Sequence, residues 1–285
     1  NHSADIRIDH QLAPNSALAV RYSVADRGYF EPFAGTTFAA VPGFGNNVDR
    51  RAQNFMLSET HAFRPTLLNE FRFGFNRVAF GVAHQNQGNS LNRSIGLPEP
   101  SPNTRDHGLA FINVAGYGSI GDEFNNPQNG IATTFQFLNH LTWTRNRHLF
   151  KFGGDVRMQG QEAFRDVLSR GLISFTGFTG NGLAELLQGV PTVTSVAKLD
   201  NPQNLRTQSY NLFAQDQWRL TGRLTLTLGA RYEYNRPAYD ANNRASVLDP
   251  ATNAIVQLGS IPGTRGAFLP DRNNLAPRLG LAFAA

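Results

Sequence analysis

Gly116-Tyr117-Gly118-Ser119-Ile120-Gly121 has the GxGxxG spacing that lets a backbone approach a dinucleotide pyrophosphate. That chemistry needs a strand before the glycines and a helix opening after them, so that the helix N-terminus can hold the phosphates. An apolar run, Phe111 to Ala115, precedes them, but Asp122-Glu123-Phe124-Asn125-Asn126-Pro127 follows, with no helical period. The glycines are therefore assigned to a folded loop, and no cofactor is expected. Asp122 and Glu123 form the most conspicuous acidic pair, yet neighbours in an extended chain point to opposite sides and cannot flank one glycosidic bond. The seven histidines are isolated, without HxH, HExxH or Cys/His metal-ligand spacing. His61, His140 and His148 fall within strands near tight turns, where a polar lumen position or a rim hydrogen bond is expected to account for them. Asp122, Asp200, Asp240 and Asp271 offer loop oxygens but lack the spacing of a dedicated calcium loop, and are read as solvated loop polarity. Ser169, Ser174 and Ser209 have no nucleophile-elbow context. No catalytic, cofactor-binding or metal site is expected, and the chain is not read as an enzyme.

The elements that carry these residues are strands. The 285 residues include 22 Phe, 27 Gly and 15 Pro but only two Met and no Cys, a composition suited to aromatic-rich strands joined by turns. Mean hydropathy is -0.34 and no run approaches the roughly 20 apolar residues of a membrane helix. A strand that alternates lipid-facing and lumen-facing side chains also averages to mild hydrophilicity, so a membrane barrel stays open. The net charge of +5 rests on only two lysines, Lys151 and Lys198, with scattered arginines, which argues against a nucleic-acid partner. Asn181 to Gly189 reads as one short helix, with Leu183, Leu186 and Leu187 on one side and Gly189 as its stop. Loop packing explains it better than a lid. The chain begins without Met or a leader and ends within an alternating segment, so both ends are read as cut.

Period-2 alternation predicts about nine strands, near 4–12, 17–25, 50–63, 67–82, 133–145, 148–159, 205–220, 224–236 and 275–285. Tight turns at Ala13-Pro14-Asn15-Ser16, Arg64-Pro65-Thr66, Arg145-Asn146-Arg147 and Thr221-Gly222-Arg223 alternate with long polar loops at 27–47, 83–132, 160–204 and 237–273. Loops beyond about 15 residues are uncommon in compact soluble domains. Short turns on one rim and long loops on the other belong to outer-membrane barrels. The fold class predicted is an all-β, antiparallel, up-and-down transmembrane barrel segment, incomplete as a barrel. Leu67, Phe71, Phe73, Phe75, Leu224, Leu226, Leu228 and Tyr232 are expected to face lipid. Arg72, Lys151, Asp155, Arg157, Arg231 and Glu233 are expected to face the lumen, pairing across strands. Phe63, Trp143, Phe150 and Trp218 stand beside tight turns, where interfacial aromatics belong. A passive porin and a secreted, soluble β-sandwich binding module are the alternatives.

Several segments resemble TonB-dependent outer-membrane receptors of the Oar-like group. They are Asp5 to Leu12 with Pro14-Asn15, Thr60 to Arg72, Trp143 to Asp155, Phe213-Ala214-Gln215-Asp216-Gln217-Trp218 with Leu224 to Glu233, and Ala276 to Gly280. The pieces occur in the family's order across most of the chain. The resemblance implies a bacterial outer-membrane location, lipid as surroundings, and transport of a bulky, unidentified solute of carbohydrate, peptide or siderophore-like kind. It also implies energy from an inner-membrane TonB complex acting through a plug and N-terminal parts not seen in these residues.

Overall fold

A computed structural model describes residues 1–33, 41–197 and 202–284. In chain order the strands are β1 His2–Ala13, β2 Ser16–Glu31, β3 Asn46–Arg64, β4 Leu67–His84, β5 Phe111–Val114, β6 Gln128–Arg145, β7 His148–Arg165 and β8 Leu172–Phe175. They continue with β9 Val193–Ser195, β10 Gln203–Arg219, β11 Leu224–Asn235, β12 Tyr239–Asp240, β13 Ser246–Asp249, β14 Ala254–Gln257 and β15 Leu275–Phe283. A one-turn helix, α1, covers Leu91–Ser94, and α2 covers Gly182–Gln188.

Nine of these strands form one antiparallel meander in the order β1-β2-β3-β4-β6-β7-β10-β11-β15, with β12 paired to the loop end of β10. The path is open: β1 and β15 each keep one unpaired edge. The strands outrun the sequence-based bounds at the loop end. β3 starts at Asn46 rather than 50, β6 at Gln128 rather than 133, and β7 reaches Arg165 rather than 159. Alternation was too irregular there to read, but pairing carries the ladder through, Gln128 opposite Arg165 and Glu31 opposite Asn46. With 16 to 19 residues in β2, β3, β4, β6, β7 and β10, the hairpins rise well past the roughly 10 residues a tilted strand needs to cross a bilayer.

Each tight turn leaves few residues unpaired, and short backbone bonds join it to the adjacent hairpin. Ala62 N–H donates to Asn15 O at 2.8 Å, Thr144 to Thr66 O at 2.8 Å, Arg219 to Arg147 O at 2.8 Å, and Ala284 to Arg223 O at 2.9 Å. Asn146 takes φ 54°, a left-handed conformation that Asn tolerates better than most residues. Register shifts at Gln11/Ala13 and Ala62/Arg64 sit beside two of these turns.

The opposite end differs. Segments 85–127 and 166–197 fold together around a small sheet, β5-β8-β9, in which β5 and β8 run parallel. Its apolar core is Ile112, Val114 and Phe175, with Ile173 and Leu186 packed against it. Loops read as irregular excursions thus hold a subdomain, and 246–257 adds a separate hairpin, β13-β14. Of the large loop at 27–47, residues 34–40 lie outside the described residues, as do Lys198 and Asp200.

Candidate functional site

Pairing register sorts the side chains of the main sheet onto two faces, because directly opposed residues share a face. One row crosses eight strands as Ile8, Val20, Leu57, Phe73, Phe137, Val156, Tyr210 and Tyr234. Phe75 sits one row above between Phe55 and Phe135; Phe71 shares its row with Leu212 and Tyr232; Leu67 shares its row with Trp143, Phe150 and Leu228. Leu226 opposes Trp218, and Leu224 opposes Phe283. All eight residues expected to face lipid therefore lie on one face. Rings run along it, Phe73 to Phe137 at 5.0 Å and Phe75 to Phe135 at 5.3 Å between centroids. Among the described residues nothing covers this face: Phe137 is 41% exposed, Leu212 60% and Leu279 76%. Glu59, Asn69, Asn139 and Asp216 interrupt it toward the tight turns. Glu59 accepts from the Ser16 hydroxyl at 3.2 Å, and Asp216 pairs with His148 at 2.7 Å.

The opposite face carries Arg72, Asp155 and Glu233 in one row, joined through Leu138 and Asn211, with Lys151, Arg157 and Arg231 in neighbouring rows. Pairing within it departs from the cross-strand expectation. Arg231 bonds Glu233 at 2.9 Å and Arg72 bonds Glu70, both along one strand, where residues two apart share a face. Asp155 is held by amides instead, from Asn211 at 3.1 Å and from Gln136. Among the described residues Lys151 and Arg157 make no ion pair, so this face presents unneutralised cations.

At the tight-turn rim three of the four expected interfacial aromatics join one stack. Trp143 meets Phe150 at 5.3 Å, Phe150 meets His148 at 5.4 Å, and His148 meets Trp218 at 5.1 Å. His148 thus lies on the apolar face, bonded to Asp216, whereas His140 lies on the polar face against Phe213. Phe63 stands apart, 61% exposed, with its ring edge-on to His61 at 4.6 Å.

At the loop end a buried polar hub docks the subdomain onto the sheet. Arg170, 4% exposed, donates to the carbonyls of Asn126 at 2.6 Å, Asp106 at 3.3 Å and Glu123. Asn92 donates to Arg170 O at 2.9 Å and accepts from Ala110 N–H at 2.7 Å. The first residue of β3 and the last of β4 tie the hub to the sheet: Asn46 bonds Glu123 and Asn126, and His84 Nε2 meets His107 O at 2.7 Å. Burial pushes the Arg170 guanidinium below its ordinary range, against the opposing pull of Asp122, Asp106, Glu123 and Glu99. Burial likewise raises the Asp122 carboxyl, although the Leu109 N–H and the Asn86 amide bond its oxygens.

This corrects the reading of Asp122 and Asp240 as solvated loop polarity. Both are buried acceptors, Asp240 receiving the N–H groups of Asn204, Asn242, Arg244 and Ala245; only Asp271 is exposed as expected. Gly116 and Gly121 take φ 85° and 101° in the turn that returns Ile120 to pair with Ile112, and no helix follows. Under the subdomain, a cleft of about 690 Å³ opens among the loop ends of the strands, lined by Asp49, Phe80, Arg105, Gln128, Glu162 and Phe164 among others. Arg105 lies over the Phe164 ring at 3.8 Å.

The family model for the outer membrane beta barrel domain matches residues 1–285. The chain belongs to that family. It is thus part of a bacterial outer-membrane barrel, which excludes the soluble sandwich. No curated protein matches the sequence. Among solved structures, FpvA of P. aeruginosa, bound to an iron pyoverdine, superposes with a TM-score of 0.54 at 10% identity over 99% of this chain. The outer membrane transporter YddB of Escherichia coli gives 0.44 at 11% over 82%, and the ferric-catecholate import receptor Fiu of E. coli K12 gives 0.41 at 10% over 98%. The chain spans 33%, 27% and 48% of those three chains.

Sequence reasoning missed the hub of this barrel segment. Its members are scattered over more than 120 residues and share no motif; the one available signal was the pair of tetrads with three apolar residues each, Phe111–Val114 and Leu172–Phe175, inside otherwise polar loops. The α2 helix stops at Gly189 as read, with φ 68°, and its N-terminus is capped by Asn181, which accepts from Ala184 N–H at 3.1 Å. Its Glu185 was not singled out, yet it receives Thr179 N–H, Gly177 N–H and the hydroxyls of Thr179 and Thr192.

Two outcomes follow from the loop chemistry. Arg170→Met should strip the hub of its central donor and cost the subdomain about 3–5 kcal/mol, the usual effect of removing one partner of a buried charged cluster. Hydrogen exchange should then accelerate across 85–127 and 166–197 while the main sheet stays protected. Those donors, the Thr179 N–H foremost, hold the Glu185 carboxyl below its usual range, so its ionised form stabilises the fold. That contribution is complete above the ordinary carboxylate pKa and is lost as pH falls through the lowered value. Exchange at 177–189, corrected for intrinsic rates, should rise in wild type between pH 6 and pH about 3. In Glu185→Gln it should already be fast at pH 6 and change little.

Proposed function

We propose that this chain forms part of the wall and outer mouth of a TonB-dependent, Oar-like transporter that moves a bulky solute across the outer membrane. The observation that carries the reading is the two-sidedness of one continuous meander, with an uncovered apolar face opposite a face of arginines, Asp155 and amides. In a bilayer each large apolar side chain on the first face gains roughly 1.5–3 kcal/mol by leaving water. The second face, with Lys151 and Arg157 unpaired, lines the lumen. Hairpins of 18 residues lift the hub and the rim cleft of about 690 Å³ above the hydrocarbon, where an arriving solute meets Arg105 and, on the rows of the polar face, Gln128 and Gln203. The fold likeness to FpvA and the ordered motifs from Asp5 to Gly280 support the transporter assignment, with carbohydrate, peptide or siderophore-like solutes as its range. Energy comes from TonB through a plug outside these residues.

Expressed in a Gram-negative host, the full-length protein should fractionate with outer membranes and migrate as a heat-modifiable band. Its solute uptake should vanish in cells lacking TonB. Uptake unaffected by TonB loss would make it a passive porin. Phe73→Arg should lower the yield of folded barrel by destabilising it about 2–4 kcal/mol near the bilayer midplane, whereas Asn76→Arg on the other face should not.

A further inference from the structure

Five arginines stand on the tight-turn rim: Arg64, Arg145, Arg147, Arg219 and Arg223. All are exposed, and among the described residues none makes an ion pair. The segments that carry them, 63–67, 144–148 and 219–224, contain no Asp or Glu. The one carboxylate close by, Asp216, is engaged by His148 at 2.7 Å. Backbone bonds from Thr144 to Thr66 and from Arg219 to Arg147 place the three turns side by side, so the cations form one band. Arg147 donates to Leu220 O at 3.1 Å, which joins two of the turns, but a guanidinium cluster without counter-charges repels itself.

Immediately inward of this band lies the stack of Trp143, Phe150, His148 and Trp218 on the apolar face. Arg145 is two residues beyond Trp143, roughly 7 Å along a strand, and its guanidinium leans over that ring at 5.7 Å. Rings at the acyl boundary with cations one step outward match the depth order of a phospholipid leaflet, where phosphates lie outside the aromatic belt. The planar fork of Arg suits phosphate oxygens bidentately.

We propose that this rim binds the phosphates of anionic phospholipids in the leaflet it meets, anchoring the tight-turn end at a set depth. This rests on the barrel reading given under Proposed function, which sets the long loops at the outer mouth and therefore the tight turns at the periplasmic rim. Each basic residue near an anionic surface contributes on the order of 1 kcal/mol, about fivefold in affinity.

The test uses the full-length protein in detergent, with heat-modifiable migration confirming a folded barrel before each measurement. Native mass spectrometry then compares retention of phosphatidylglycerol with that of phosphatidylcholine. Preferential retention of phosphatidylglycerol, on the order of fivefold or more, is expected. It should weaken in Arg145→Gln/Arg147→Gln, and disappear when Arg64, Arg219 and Arg223 are also changed to Gln. Arg93→Gln/Arg272→Gln at the loop end should leave it intact. Should the fivefold variant fail to fold, the double variant and the wild-type preference decide. Equal retention of the two lipids by folded wild type, or a preference unmoved by the double variant, overturns the proposal and leaves the barrel standing. Recovery of the protein as a monodisperse species without detergent overturns both.

Discussion

Backbone hydrogen bonding without solvent is the constraint on which the rest of this structure depends. In hydrocarbon an unpaired N–H or C=O costs several kcal/mol, so a spanning strand must be paired along its whole length on both sides. Across the apolar rows the seven inner strands of the meander meet that demand within the chain, and β1 and β15 each leave one edge to pair elsewhere. Register then does the chemical sorting. Because side chains alternate with period 2, a slip of one residue would carry Phe73 and Phe137 to the polar face and Arg72 to the apolar one. The tight turns and the bonds between them, Thr144 to Thr66 and Arg219 to Arg147, hold each hairpin against that slip.

The two ends of the sheet solve opposite problems. At the tight-turn end the chain reverses in few residues and exposes aromatic rings and arginines. At the other end it must support long segments in water without an apolar core large enough to order them: Ile112, Val114 and Phe175 are a small cluster. Polar burial supplies the rest. Arg170 gathers carbonyls from 106, 123 and 126, Asn92 bridges 98, 110 and 170, and Asn46 and His84 fasten the assembly to the strand ends. Such a hub is directional, so it fixes one arrangement of loops over the cleft; an apolar cluster of this size would not.

Fold class was legible, and the singled-out strand residues divide between two faces, because alternation at 67–75 and 224–234 is regular and the turn residues are explicit; His61 and His148, which share the face of Phe73 and Phe150, were not legible in the same way. Strand ends were not, since Gln128 to Gly130 and Gln159 to Arg165 lose alternation once the ladder leaves the apolar layer, where either face can be polar. The loop subdomain was illegible for a related reason. Asp122, Asn92 and Arg170 look like solvated loop residues, and only their convergence in space makes them a buried network. The direction of pairing on the polar face was also hidden, since Glu70 and Arg72 can satisfy each other along one strand as readily as across two.

The central claim is that alternate residues of one strand face lipid and water. These 285 residues contain no Cys, so, with any cysteine elsewhere in the protein replaced by Ser, single substitutions along β4 report without background. Phe71→Cys, Phe73→Cys and Phe75→Cys, labelled with a fluorophore in the folded full-length protein, should be quenched by brominated acyl chains and shielded from aqueous iodide. Arg72→Cys, Gly74→Cys and Asn76→Cys should show the reverse. Quenching that varies smoothly along 71–76, without alternation, would contradict the two-faced membrane strand.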